Sequence, residues 1–256
     1  MLPDPLLSAS TVIGFLLTLI RVSGVFVFIP IPGTSSMLSP IRVILALGIT
    51  ISLFPVWPQA APNPSPGLFV LWVLSEAAIG VGVGLAIGFV AEAFGLGAQV
   101  LGLQAGYSFA SSVDPTTQAD STVIVVFSQL AAGLLFFATG LHREVLRIFA
   151  RSLEIYPAGS FVLTRAAAEQ ILMMGSTIFS TGLRLGLPLI AILVMVDISL
   201  ALLGRVNSQL QLLHLAFPVK MILGLALLGW IAVLMPAMYR AASDSALVGV
   251  RGLITR

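Results

Sequence analysis

No cysteine occurs among the 256 residues, lysine occurs once, and charged residues make up only 9% of the chain. Each shortage excludes something. Without cysteine there is no disulfide framework and no thiolate chemistry, so the redox compartment is left open. A soluble domain of this size carries roughly a quarter of its residues as charges. A chain this poor in charge must therefore present most of its exterior to lipid or to other apolar protein. Eleven of the twelve basic residues are arginines, scattered along a chain of formal charge +2, and no dense basic patch marks a nucleic-acid binder. His142 and His214 are the only histidines, and neither has carboxylates at metal-ligand spacing. No Ser-His-Asp set can be assembled, so the residues nominate no catalytic centre, no metal and no cofactor. The opening Met1–Ser10 lacks the basic stretch of a cleaved signal peptide, and the first apolar run is expected to be retained as a helix.

What is present is apolar. The composition is 58% hydrophobic and the mean hydropathy is +1.10. Apolar blocks run over Leu6–Ile29, Ile41–Val56, Leu68–Leu103, Val123–Leu141, Ile171–Leu203 and Phe217–Met238. They are too long and too rich in Leu, Ala and Gly for strands, so helices are expected. Pro30, Pro32 and Gly33, then the Pro-rich stretch Pro55–Gly67, punctuate the first three blocks. The expected fold is all-α: an integral membrane protein of about six long, kinked apolar helices in a single domain, 1–256, with a C-terminal tail at 241–256.

Two blocks are too long for one simple span. Leu68–Leu103 as a helix reaches about 54 Å, against a hydrocarbon core of about 30 Å. Ile171–Leu203 reaches about 50 Å. Either these helices kink, with Pro188 as a candidate, or they continue beyond the bilayer into a protein assembly. Arginines at 143, 147, 151, 165, 240, 251 and 256 favour both termini on the inside.

Glu76, Gly80, Gly84, Gly88 and Glu92 follow one another at intervals of four, which places them along one slowly drifting helical ridge. The glycines suit a small-residue packing seam. A carboxylate at membrane depth needs a partner or water, so Glu76 and Glu92 are read as pairing with arginine from a neighbouring helix or subunit, with a proton relay as the alternative. Arg21, Arg184 and Asp197 also stand inside apolar blocks and should face protein or water. Arg143, Arg147 and Arg151 share one face of a further helix, suited to an anionic membrane surface, a partner, or plain solvation.

Between Gln104 and Asp120 the chain reads Q-A-G-Y-S-F-A-S-S-V-D-P-T-T-Q-A-D, hydroxyl-rich, acidic and free of Lys and Arg. A connection between two membrane helices needs far fewer residues, and on a cytoplasmic face it would carry basic ones. Such a segment fits a cavity or pore.

Three stretches together resemble the FliR family of flagellar biosynthetic proteins, related to the SctT-type proteins of injectisomes. They are Arg21–Gly24 with F-I-P-I-P and Ser39–Leu47, then the Gln104–Asp120 loop with G-Y-S-F and V-D-P, and lastly Leu203–Met221. The resemblance runs over nearly the whole chain in order. In the late polar turn Arg205, Gln209, Phe217, Pro218 and Lys220 fit the family pattern, whereas Ser208, Gln211 and Ala216 replace its Pro, Asn and Gly.

The resemblance implies a non-enzymatic subunit of a type III export gate, packed in a helical assembly in the bacterial inner membrane within the flagellar basal body. Its implied partners are FliP-like and FliQ-like gate subunits, FlhA-like and FlhB-like export components, membrane lipid, and unfolded proteins in transit. It also implies that Gly106–Thr117 is a pore plug, with Gly106 and Tyr107 at its start, Phe109 as apolar stopper, and Ser111, Ser112 and Asp114 as wet pore-facing groups. Competing readings are the equivalent injectisome subunit, a secondary transporter or small-solute channel subunit, and a membrane enzyme. The first differs only in the system served. The second lacks the expected inverted repeat, and the third lacks a nucleophile or acid–base cluster.

Overall fold

Helix starts follow local chemistry. Ser8, in extended conformation, accepts the Thr11 N–H through its side chain and opens α1 (Ala9–Phe26). After α2 (Pro40–Ser52) and a 3₁₀ turn at Phe54–Val56, Pro66 occupies the first position of α3 (Pro66–Ala105), where its missing N–H costs nothing. Then come α4 (Val123–Ala138) and α5 (Leu141–Ile155), parted by Thr139 and by Gly140 at φ +79°. Thr164 caps α6 (Arg165–Val206) by accepting the Ala167 N–H. The last two are α7 (Leu212–Ala232) and α8 (Met235–Ile254). The computed structural model describes residues 8–32, 40–58, 61–107, 123–157, 159–161, 164–206 and 212–254, and among these every regular element is helical.

The all-α membrane architecture expected from composition is what the chain adopts. Three helices, α1, α3 and α6, are long and apolar enough to cross a membrane, and up to five spans result if the bent pairs α4–α5 and α7–α8 each count as one. The shorter apolar α2 accounts for the remaining block. The two overlong blocks are single helices of 40 and 42 residues, about 60 and 63 Å long at 1.5 Å per residue. α6 runs through Pro188 without interruption. The breaks fall instead at Thr139–Gly140 and Val233–Leu234.

Contacts gather the chain into two compact units. Unit 1 is Met1–Phe89, Phe136–Gly175 and Ser243–Arg256; unit 2 is Val90–Leu135 and Ser176–Ala242. In unit 1, α1 lies backbone to backbone on α3. A Cβ at Gly84 would stand 2.8 Å from Val25 Cα, and one at Gly88 2.9 Å from the Phe28 carbonyl. Trp57 closes the α1–α2 corner, packing its ring at a tilt against Phe15 with centroids 5.2 Å apart and donating to the Thr50 carbonyl at 2.8 Å. In unit 2 the core is Ala98, Leu101, Ala105, Ile124, Leu189, Leu193 and Leu227, supplied by α3, α4, α6 and α7.

Candidate functional site

Two charged clusters stand out, one in each unit. In unit 1, Arg21 of α1 and Glu76 of α3 are both 0% exposed. Arg21 Nε donates to Glu76 Oε2 at 2.5 Å, Nη1 to Ser152 Oγ at 3.1 Å, and Nη2 to the Tyr156 carbonyl at 3.2 Å. The second carboxylate oxygen of Glu76 accepts the Gly159 N–H at 3.1 Å. Next to it, Ser75 Oγ donates to the Phe161 carbonyl at 2.8 Å. Both charges are thereby met on several sides, the condition for keeping ions out of water. The cluster ties α1, α3, α5 and the linker between α5 and α6. Gly159, at φ +72° against Trp72, gives the linker its turn.

In unit 2 the second cluster surrounds the end of α3. Gly106 adopts φ +86°. Its N–H reaches the Leu103 carbonyl at 3.2 Å, and the Tyr107 N–H reaches Gly102 at 2.9 Å. This pair of bonds is the glycine stop that satisfies a helix's last carbonyls. Tyr107 then donates its hydroxyl to the Met221 carbonyl on α7 at 2.7 Å, and its partial burial raises the phenol pKa. Asp197 Oδ2 on α6 receives both Lys220 Nζ at 2.9 Å and the Gln104 amide at 3.1 Å. Asp197 is 42% exposed and Lys220 15%. The exit of the chain from α3 is therefore anchored to α6 and α7 by two links that do not depend on apolar burial. The Asp197–Lys220 pair is far less enclosed by the chain than Arg21–Glu76.

Neither cluster pairs a nucleophile with a base. Their chemistry is positional: one locks helices together, the other fixes where the chain leaves α3. The sequence profile of the family described as "Bacterial export proteins, family 1" matches residues 12–246. The chain belongs to this family of bacterial export proteins.

This export protein is similar to the flagellar biosynthetic protein FliR of Escherichia coli (strain K12), with 31% identity over 219 residues covering 85% of this chain and 82% of that one. It is likewise 31% identical to FliR of Pectobacterium carotovorum subsp. carotovorum over 198 residues, 76% of each chain. FliR of Caulobacter vibrioides is 28% identical over 210 residues, 81% of this chain and 84% of that one.

The other residues singled out by sequence fall in different settings. Gly80, Gly84 and Gly88 line the α1 contact. Glu92, at the far end of the same ridge, is exposed and has no ion pair among the described residues. Arg184 is exposed on α6, and Arg205 is exposed near its end. On α5, Arg143, Arg147 and Arg151 are exposed opposite buried Val145, Ile148, Phe149 and Leu153. Phe109, Ser111, Ser112, Asp114 and Gln209 lie outside the described residues.

Sequence reading did not find Ser152, Tyr156, Gly159 or Gln104. Hydroxyls, carbonyls and amides recur everywhere, and nothing local distinguishes those that meet a charge. The joining of Asp197 to Lys220 had a signal, two charges in separate apolar blocks, but no indication of register.

Proposed function

We propose that this export protein is a non-enzymatic core subunit of a flagellar type III protein-export gate, and that Gly106–Thr117 plugs its pore, with Gly106 and Tyr107 as its anchored root. Family membership and the flagellar relatives support the first part. The anchored stem supports the second: α3 stops at Gly106, Tyr107 is tied to Met221, and Gln104 meets the Asp197–Lys220 pair. A plug must be fixed at its root and loosely held beyond it. Beyond it, Phe109 is the stopper and Ser111, Ser112 and Asp114 are the wet groups; apart from Phe109 and Val113 the residues are small or polar and would bury little apolar area. The single-domain reading fits α3 and α6, each of which contributes to both compact units.

The gate sits in the inner membrane at the flagellar basal body, beside FliP-like and FliQ-like subunits. FlhA-like and FlhB-like components feed it unfolded substrates. Helices of about 60 Å suit such an assembly, because they exceed a hydrocarbon core of about 30 Å.

Co-purification from cells carrying the whole export apparatus tests the assignment. Recovery in a stable complex with the FliP-like and FliQ-like subunits is expected; recovery only as a monomeric solute transporter would overturn it. In the verified complex, Phe109→Ala should raise the passive leak of small ions. An unchanged leak removes the plug role from that residue.

A further inference from the structure

α6 presents two opposite ridges within unit 2. Gly182, Gly186, Leu189 and Leu193 turn inward: a Cβ at Gly182 would stand 2.8 Å from the Ala93 carbonyl of α3, while Leu189 and Leu193 enter the core. Two residues further along a helix lies about 200° round its axis. That places Arg184 on the side facing away from α3. There Ser180, Arg184, Leu187, Met195, Ile198 and Leu202 form a second ridge, every member exposed.

Arg184 is the only charged residue between Glu169 and Asp197, and it makes no ion pair or hydrogen bond through its side chain among the described residues. Pro188 stands inside the same helix. Having no N–H, it denies the carbonyl four residues back, that of Arg184 itself, its helical donor. One turn of an otherwise apolar ridge thus carries an unmatched cation and a freed carbonyl. Lipid tails can satisfy neither. An exposed apolar ridge alone would say nothing about what covers it; a guanidinium on it, one turn from its Ser180 end, calls for an anion at that depth.

We infer that this ridge is the docking face for a helix of another export-gate subunit, one that brings a carboxylate against Arg184. The partner helix is apolar along Leu187, Met195, Ile198 and Leu202, and the small Ser180 lets it approach closely at the other end. The acid neutralises the guanidinium in a planar, two-point contact that lysine reproduces only in part. Glu92 of the same copy does not supply it, because α3 lies against the opposite ridge.

The inference rests on the chain being a gate subunit, and its test separates the two. In cells with the complete apparatus, a photo-crosslinking residue replaces Leu187 with Arg184 intact. Expected is a crosslink to one gate subunit, mapped to a helix containing Asp or Glu. Arg184→Glu should then weaken co-purification with that subunit by about a hundredfold. Arg184→Lys should weaken it less, and replacing the mapped acid by Lys should restore assembly to the Arg184→Glu chain. Crosslinking to lipid alone, or parental assembly and export with Arg184→Leu, would overturn the inference while leaving the gate assignment standing. Failure of the unmodified chain to co-purify with any gate subunit would overturn both.

Discussion

Gly80 of α3 lies directly against the backbone carbonyl of Arg21 on α1. One turn earlier on α3, Glu76 accepts the side chain of that same arginine. The close approach and the ion pair are therefore one arrangement. A residue larger than glycine would push α1 away, and the carboxylate would lose its partner.

Gly80→Val should accordingly destabilise the protein by about 1–3 kcal/mol or more, because the atoms it meets are backbone and cannot rotate aside. Gly48→Ala on α2 should do the opposite: open space surrounds that position, and a helix interior gains up to about 1 kcal/mol from the exchange. Thermal unfolding of the detergent-purified protein measures both. Equal effects of the two substitutions would contradict the seam.

Removing one partner of the buried pair, by Glu76→Leu or Arg21→Leu, should cost about 3–5 kcal/mol, since a charge is left stranded without water. The double substitution should cost distinctly less than the sum of the singles. Strict additivity in the same unfolding assay would show that the pair is not coupled.

At the stem, Tyr107→Phe removes the hydroxyl that reaches Met221 and should cost about 1 kcal/mol locally. Asp197→Asn removes the charge shared by Lys220 and Gln104. Global stability should change little in either, while ion leak through the assembled gate rises, most in the double variant. Because the chain contains no native cysteine, a single Cys placed beyond Tyr107 can report the same loosening as faster labelling. Unaltered labelling in the double variant would separate the stem contacts from any gating role.

Gly106→Ala and Gly140→Ala compare two left-handed positions. Both carry the backbone penalty of about 1–2 kcal/mol. At Gly106 the new methyl also meets the Phe217 ring at 3.0 Å, whereas at Gly140 nothing lies within 4 Å. The first should be the more damaging by unfolding midpoint and by leak.

The amino-acid sequence by itself determined the class of the protein. Scarcity of charge excludes a solvated surface, and long runs of Leu, Ala and Gly exclude strands. It also put the glycines of α3 on one ridge, since spacing by four is a property of the helix alone. It could not distinguish the glutamates at the two ends of that ridge. Glu76 is fully buried against Arg21 while Glu92 is exposed, although by spacing they are equivalent. The difference comes from where α1 lies: it carries its arginine at the Glu76 end of the seam, 55 residues away along the chain. In the same way Gln104, Asp197 and Lys220 meet only because three helices pack in one register. Local pattern fixes which face a residue takes; what it meets there depends on the helix that docks, and only the tertiary structure decides that.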